Sequence, residues 1–166
     1  MIEIHPFKPF VPENATVLIL GSFPGMEQTR GTTETEQWFY SAKRNTFWKI
    51  LGIVYSTNFN TVKEKQCLFT EKGIAITDII LKAVRKEESN LDKHLSEIEY
   101  NTKAIEEIFS TGKIKKVFFT SKFVETHFKK LFSNISFAEC LPSPSPRYAR
   151  ISLEEKTKIY KLKLPK

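Results

Sequence analysis

Short apolar runs alternate with helical patterns along this chain, and this alternation limits its fold to few classes. The first run covers residues 15–20 and is followed by Gly-Ser and then Pro-Gly, which is typical of a buried parallel strand that ends in a loop. Similar runs cover residues 73–80 and 116–120, and a weaker one covers residues 135–140. The sequence therefore predicts four strands.

Helical patterns lie between and after these strands. They cover residues 45–54, 61–70, 100–109, 122–132 and 152–162. Two of them begin with a capping box, Thr61 with Glu64 and Ser152 with Glu155. This alternation predicts an α/β fold with three layers, α/β/α, around a central, mostly parallel four-stranded sheet. Ligands of such folds bind outside the carboxyl ends of the strands.

Length and composition narrow the class of protein. The 166 residues suit one domain over residues 1–166. No window has the apolar length of a membrane span, and the N-terminus lacks the basic-then-apolar order of a secretory signal, so we expect a soluble, cytoplasmic monomer. Cys67 and Cys140 have neither a metal-ligand spacing nor the density of a disulfide scaffold. We therefore expect both to be reduced and partly buried, with no metal or other cofactor bound.

The formal net charge of +7 suits a polyanionic partner, because each phosphate neutralised by a basic side chain releases counterions. Lysines spread over a solvated surface would give the same net charge, so charge alone does not decide between these interpretations. Residues 85–94 are dense in charge, and we interpret them as a short charged surface loop rather than a mobile excursion.

Four segments at predicted strand ends or helix starts carry residues suited to chemistry. They are residues 21–25 (GSFPG), 40–48 (YSAKRNTFW), 76–78 (ITD) and 141–150 (LPSPSPRYAR). The first is not a Walker loop, since no Gly-Lys-Ser/Thr follows it, and its glycine spacing is not that of a Rossmann fingerprint. Nucleoside triphosphate and dinucleotide binding are therefore disfavoured.

In these segments the chain resembles the uracil-DNA glycosylase superfamily, and most closely its hypoxanthine-DNA glycosylase (DNA-deoxyinosine glycosylase) branch. That branch has a His-Pro-Phe element, a strand ending in Gly-Ser-Phe-Pro, a Tyr followed by Arg-Asn-x-Phe-Trp, and Leu-Pro-Ser-x-Ser-Pro with a later Ala. The matching positions are residues 5–7, residues 21–24, Tyr40 with residues 44–48, and residues 141–146 with Ala149. The similarity spans nearly the whole chain.

The chain departs from the family pattern at three places. Ala42-Lys43 stands where many relatives carry His-Pro. Phe23 stands where other branches carry a catalytic Asp or Asn, so the positioning of water must fall to another residue. Leu141 stands where the last motif of the best-known branches begins with His or Asn, and its side chain cannot donate a hydrogen bond to a departing base.

The resemblance implies a monofunctional enzyme that binds DNA containing deaminated bases and hydrolyses the N-glycosidic bond of hypoxanthine, with uracil as a secondary substrate. No lysine stands out as a Schiff-base nucleophile. Three alternatives stay open: a uracil/thymine mismatch-type glycosylase, a non-catalytic DNA-binding protein on the same scaffold, and a small-molecule enzyme of the open α/β type.

The resemblance assigns the catalytic role to Asn45. Its amide would accept one proton of the attacking water and hold the water near the sugar carbon, but it is too weak a base to deprotonate water. Asn45 also precedes a predicted helix, so an N-cap is the alternative interpretation, and both roles are compatible.

The residues implied to bind the base are Gly21, Ser22, Phe23, Pro24, Tyr40 and Asp78. We expect Phe23 and Tyr40 to stack on a base extracted from the duplex, with core packing as the alternative. The backbone amides of residues 21–25 would hydrogen-bond the base, unless the glycines and proline only form a turn. Asp78 would accept from a ring N–H of hypoxanthine, with a capping or loop-bonding Asp as the alternative.

The residues implied to contact DNA are Arg44, Ser143, Ser145, Arg147, Tyr148 and Arg150. The two serines would bond phosphates, and the residues after them would enter a groove or fill the gap left by the base. Three prolines stiffen this loop and reduce the entropy lost on binding. The alternative is a surface turn that leads to the cap at Ser152.

Overall fold

Four parallel strands form the centre of the structure, a computed structural model that describes residues 1–31 and 37–166. The strands of this central sheet and of a second, smaller sheet are β1 (Ile2–Ile4), β2 (Val17–Gly21), β3 (Ile74–Asp78), β4 (Ile80–Arg85), β5 (Leu95–Tyr100), β6 (Lys116–Phe119) and β7 (Ala138–Cys140). The helices are α1 (Met26–Arg30), α2 (Phe47–Val54), α3 (Val62–Lys72), α4 (Thr102–Ser110), α5 (Lys122–Leu131) and α6 (Leu153–Lys163). The central sheet has the order β3-β2-β6-β7 with every neighbouring pair parallel, as the alternation predicts.

The two faces of the central sheet are both covered, and β2 shows how. Val17 and Ile19 pack in a buried cluster with residues of α2, α3 and α6. Leu18 and Leu20 point to the opposite face, where they pack with residues of α4 and α5. A strand that is buried on both faces needs an uninterrupted apolar run, and this explains why the sequence signal for β2 is strong.

The predicted helices all form, with ends that shift by one or two residues. Thr61 and Glu64 make the capping box of α3, and Ser152 and Glu155 make that of α6. Helix α3 ends at Gly73, whose φ of 64° is the left-handed conformation that glycine adopts without strain. Helix α2 begins at Phe47 with Thr46 as its N-cap residue, so Asn45 lies just outside the helix.

The predicted strand over residues 73–80 is wrong at its end, because the chain changes sheets there. Strand β3 ends at Asp78, and Ile80 begins β4, which joins β1 and β5 in a second, antiparallel sheet. The side chain of Asn101 donates to the carbonyl of Asp78, and its backbone N–H donates to the carbonyl of Ile79. The apolar run hides this change because it is buried on both sides of the junction.

Two further expectations concern individual residues and long helices. Cys140 is half-buried as expected, whereas Cys67 is exposed on α3, so the expectation that it is partly buried is wrong. Within residues 1–31 and 37–166, no helix combines the length and apolar character needed to cross a membrane.

Candidate active site

A cavity of about 490 Å³ opens at the carboxyl ends of the parallel strands. Its size falls within the range of roughly 300–1,000 Å³ that is usual for pockets that bind small ligands. The lining includes residues from the loops after β2, β3, β6 and β7 and from the segment before α2. Of the predicted site residues, it holds Ser22, Phe23, Pro24, Tyr40, Arg44, Asn45, Asp78, Ser143, Ser145 and Arg147.

Gly21 ends β2 directly beneath the cavity, and its lack of a side chain is required. A Cβ atom at this position would overlap both Asp78 Oδ1 and the hydroxyl of Tyr40. The glycine therefore lets two polar groups from distant parts of the chain meet over the end of one strand.

Phe23 lies half-buried in the cavity wall, where its ring has two neighbours. The guanidinium carbon of Arg85 lies 5.9 Å from the ring centroid, and the ring of His5 packs edge-on at 6.0 Å. The backbone N–H groups of Phe23 and Gly25 donate no hydrogen bond to any residue that the structure describes. Among the described residues, both N–H groups are therefore without a hydrogen-bond partner.

Tyr40 is held in a strained and crowded position. Its φ of 59° is uncommon for a residue with a side chain and costs about 1–3 kcal/mol. The ring stacks on Phe47 at 4.1 Å, so one of its two faces is unavailable to a base, and its hydroxyl lies 2.8 Å from Thr120 Oγ1. Burial raises the pKa of the Tyr40 phenol well above its usual value, and the charge of Asp78 adds to that shift. Tyr40 is therefore a neutral hydrogen-bonding group at neutral pH.

Asp78 is buried at the end of β3 and is paired with His5. The Nε2 atom of His5 lies 2.9 Å from Asp78 Oδ2, and Nδ1 of the same ring accepts from the backbone N–H of Phe7. Because Nδ1 is an acceptor, the neutral ring carries its proton on Nε2 and donates it to Asp78. Asp78 Oδ1 accepts no hydrogen bond from the residues that the structure describes.

Asn45 lies in the cavity wall at the start of α2. Its Oδ1 accepts from the backbone N–H of Phe47 at 2.9 Å, so the side chain does help to cap the helix. Its Nδ2 group makes no hydrogen bond with the described part of the chain. Asn45, a residue of the cavity lining, thus has a structural bond at its Oδ1 and a donor group without a partner among the described residues.

The proline loop, residues 141–146, is fastened to α2 and α6. The backbone N–H and the hydroxyl of Thr46 both donate to the carbonyl of Pro144, at 3.0 and 2.8 Å. The hydroxyl of Tyr160 donates to the carbonyl of Pro142 at 2.9 Å. These bonds fix the loop against the residue next to Asn45, and Leu141 is buried in the core beneath it.

The predicted DNA-contacting residues differ in their placement. The hydroxyls of Ser143 and Ser145 accept from backbone N–H groups two residues further on, which leaves their protons available to a phosphate. Arg147 is exposed at the cavity. Tyr148 and Arg150 are exposed beyond the lining, and the carbonyl of Tyr148 is bound by Lys156.

Residues 86–91 form a charged loop between β4 and β5, as the sequence predicts, but the same segment also forms part of the cavity, which the sequence did not predict. Arg85 is buried and makes an ion pair with Glu3 while donating to the carbonyls of Pro24 and Ser89. It thereby ties the loop after β2 to the loop after β4. Asn90 adds a second tie, because its side chain accepts from the backbone N–H of Met26.

Glu3 supports this arrangement from β1. Burial alone would raise the pKa of its carboxyl group, but hydrogen bonds from Arg85, Thr29 and Arg30 together hold the pKa below its usual value. Glu3 is therefore ionised at neutral pH and compensates the buried charge of Arg85.

Asp92 reaches the cavity from the same charged segment. Burial raises the pKa of its carboxyl group to about 6; the hydroxyl of Ser22 opposes that rise, the charge of Asp78 adds to it, and Arg85 opposes it. Asp92 makes no ion pair within residues 1–31 and 37–166. An unpaired carboxylate in a cavity is costly to the fold and is characteristic of functional sites.

Sequence reasoning missed three of these groups. His5 lies in the matched His-Pro-Phe element, so a signal for it existed, although no role was assigned. Thr120 is the last residue of a predicted strand, and that position was also a usable signal. For Asp92 the sequence contained no signal, because the charges around it in the sequence are typical of a solvated loop.

No group of three or more His, Cys, Asp or Glu side chains in the described ranges is placed to hold a metal ion.

Comparisons with known proteins agree with this geometry. The sequence matches the family model of the uracil DNA glycosylase superfamily over residues 8–164. The chain is also similar to a protein from Methanosarcina acetivorans, solved by solution NMR and named provisionally as a uracil DNA glycosylase, with 23% identity and a TM-score of 0.70 over 98% of each chain. At that identity the likeness shows the fold. No curated protein matches the chain.

Proposed function

This chain belongs to the uracil DNA glycosylase superfamily, and on that premise we propose that it hydrolyses the N-glycosidic bond of a deaminated base in DNA, with hypoxanthine as the preferred base. The observation that carries the proposal is the meeting of segments 22–25, 40–45 and 143–147 with Asp78 around one cavity. These segments are far apart in sequence, and each contains residues suited to one part of the reaction.

Asp78 supports selection of a deaminated base. Deamination places a ring N–H in hypoxanthine where adenine has a lone pair, and it does the same in uracil relative to cytosine. A carboxylate oxygen can accept from such an N–H but meets repulsion from a lone pair. Oδ1 of Asp78 is free for this bond, because His5 engages Oδ2 and orients the carboxylate.

A base reaches Asp78 only if its nucleotide leaves the duplex. That extraction costs a few kcal/mol, and less where the pair is already weak, as at inosine and uracil mismatches. Phe23 offers an aromatic surface in the cavity wall, and stacking contributes about 1–3 kcal/mol per base. The exposed Arg147 and Arg44 lie where they can neutralise flanking phosphates.

Cleavage develops positive charge on the sugar and negative charge on the base. Asn45 positions the attacking water through its side-chain amide, while the bond from Phe47 keeps that side chain oriented toward the cavity. The free N–H groups of Phe23 and Gly25 are donors for the charge that develops on the base.

The proposed reaction needs no covalent intermediate with the enzyme. Of the residues described in the cavity lining, Lys43 is the one lysine, and it is exposed. We therefore expect an intact DNA strand with an abasic site as the product, and no product trapped on the protein by borohydride.

The test is incubation of the protein, in the presence of a chelator, with duplexes that contain inosine, uracil or thymine opposite guanine. Alkali cleaves DNA at the abasic sites, so release of the base is read as strand breakage after alkali treatment. We expect breakage at inosine, with uracil slower. A duplex with adenine at the same position is the matched control.

Each other outcome supports a different interpretation. Faster release of uracil or thymine than of hypoxanthine would favour a mismatch-type glycosylase. Salt-dependent DNA binding without base release from any duplex would refute the proposed activity and favour a non-catalytic DNA-binding protein.

A further inference from the structure

One acidic group in the cavity has no role in the proposed function so far. Asp92 begins a short 3-10 turn between β4 and β5, and its carboxylate lies in the cavity beside the hydroxyl of Ser22. The loop that carries it is held two and three residues before Asp92, since Arg85 donates to the carbonyl of Ser89 and the side chain of Asn90 accepts from the backbone N–H of Met26. These hydrogen bonds fix the loop that places Asp92 at the cavity.

The fold does not need a carboxylate at this position. The charge of Arg85 reaches Asp92, but the Arg85 guanidinium makes its ion pair with Glu3. Asp92 makes no ion pair with a described residue, and its backbone carbonyl alone serves the turn, by accepting from Leu95. A desolvated carboxylate without an ion pair destabilises the folded state, and the Ser22 hydroxyl and the charge of Arg85 offset only part of that cost, so the placement of Asp92 in the cavity points to a chemical role.

The proposed hydrolysis lacks a group to take the proton of water. Asn45 can position a water molecule, but an amide is too weak a base to deprotonate it. Phe23 is a hydrocarbon, and Tyr40 keeps its phenolic proton at neutral pH. Asp78 is engaged by His5 and is proposed to read the base.

We propose that the Asp92 carboxylate is the general base of the reaction, a role that rests on the glycosylase activity proposed above. The C1′–N bond breaks, and its electron pair leaves with the base. The oxygen of the attacking water forms the new bond to C1′, and one proton of that water passes to Asp92. The departing base takes a proton from solvent, and Asp92 later returns its proton to solvent.

The charge of Asp92 helps before the proton moves. A carboxylate in a cavity with little water stabilises the cationic sugar of the transition state. Its pKa of about 6 keeps it ionised at neutral pH while making it a stronger base than an exposed aspartate. The groups that face it are Ser22, Asp78, Arg85 and Tyr40, and Asp78 is itself paired with His5.

The experiment measures single-turnover release of hypoxanthine between about pH 5 and pH 8.5 for the wild type, Asp92→Asn and Asp92→Glu. We expect Asp92→Asn to be slower by about 100-fold at neutral pH. Asp92 must be ionised to act, so the wild-type rate falls about tenfold per pH unit below the pKa of Asp92. Asp92→Asn lacks this fall, and Asp92→Glu recovers part of the rate with the fall present.

Controls separate chemistry from structure. Glu88→Gln removes an exposed carboxylate from the same loop and should leave the rate and its pH profile unchanged. Asp92→Asn should bind the inosine duplex as the wild type does, because asparagine has the same shape, and its melting temperature should be no lower, because the desolvated charge is removed. A decline in acid that arose from a group other than Asp92 would persist in Asp92→Asn.

The outcomes test the role of Asp92 separately from the proposed glycosylase activity on which it rests. A wild type that releases no base from any duplex overturns both. An active wild type whose Asp92→Asn variant is equally fast, or has the same decline in acid, overturns the role of Asp92 and leaves the proposed function standing.

Discussion

Asn45 illustrates a residue whose structural and chemical roles can be measured separately. Its Oδ1 caps the first turn of α2, and its Nδ2 group lies in the cavity without a described partner. The two ends of one amide thus serve the fold and the reaction. For a variant that lacks the Asn45 amide, the loss of unfolding free energy and the loss of reaction rate must therefore be measured and compared.

Asn45→Ala should cost about 1 kcal/mol of unfolding free energy, the usual value of a lost cap. Single-turnover base release should fall by about 100-fold or more, since the water is no longer held in place. Denaturant unfolding and rapid quench measure the two quantities. Asn134→Ala, an exposed asparagine in a turn, is the control. A loss of rate no greater than the loss of folded protein would leave Asn45 only its capping role.

At the end of β2, the space around Gly21 is too small for a side chain. Gly21→Ala should destabilise the protein by about 1–3 kcal/mol, because the new methyl group meets Asp78 Oδ1 and the Tyr40 hydroxyl. Adding Tyr40→Phe removes one of these neighbours, so the double variant should be more stable than the sum of the single effects by at least about 0.5 kcal/mol. Thermal or denaturant unfolding measures this coupling.

The matched pair for that cycle is Gly21→Ala with Tyr55→Phe. The hydroxyl of Tyr55 donates to the carbonyl of Pro165, away from Gly21. These two effects should add. Equal coupling in both pairs would show that the tyrosine hydroxyl at position 40 does not crowd Gly21.

At the scale of elements, the small sheet of β1, β4 and β5 places the charged loop over the cavity. Glu3 on β1 and Arg85 on β4 form its buried ion pair. Because the folded-state pKa of Glu3 is lowered, the stabilisation by its ionised form is fully present above the unfolded pKa, about 4.5. It is lost as pH falls through the lower, folded-state pKa.

Glu3→Gln should therefore cost about 3 kcal/mol at neutral pH, since it leaves the buried guanidinium of Arg85 uncompensated. The difference from the wild type should shrink as pH falls below about 4.5. Unfolding curves from neutral to acid pH measure it. Glu99→Gln, which breaks the exposed pair with Lys82 on the same sheet, should cost no more than about 1 kcal/mol. A Glu3→Gln effect on stability that does not change with pH would contradict the conclusion that ionised Glu3 compensates the charge of Arg85.

The sequence predicted the elements whose signals are local. Both capping boxes, at Thr61 and Ser152, involve residues three apart and were read directly. The antiparallel sheet was not predicted, because β1 has three residues and β4 continues an apolar run from β3. Its β1–β4 pairing joins residues about eighty positions apart, such as Ile2 with Val84.

At the scale of the whole molecule, the same distinction governs the site. The loops after β2 and β7 were assigned to it from the sequence, since parallel strands bring their carboxyl ends to one edge. Asp92 and His5 reach that edge only because the second sheet folds back over it. No local sequence pattern predicts this placement of the second sheet, so only the three-dimensional structure shows it.

The distribution of charge around this edge sets how the molecule should respond to salt. Arg147 is exposed at the cavity, whereas Lys115 directly precedes β6 and thus lies at the opposite, amino-terminal edge of the sheet. Each phosphate neutralised by the protein contributes about −0.9 to the slope of log K against log salt concentration.

Arg147→Ala should weaken binding to an inosine duplex and reduce the magnitude of that slope by about one, because one phosphate contact is lost. Lys115→Ala removes the same charge, and the net charge of +7 falls equally in both variants. If DNA docks on the cavity, the slope of Lys115→Ala stays at the wild-type value. Fluorescence anisotropy titrations at several salt concentrations measure both. Equal slopes in the two variants would mean that the positive charge attracts DNA from all sides, and that the cavity is not the face that holds it.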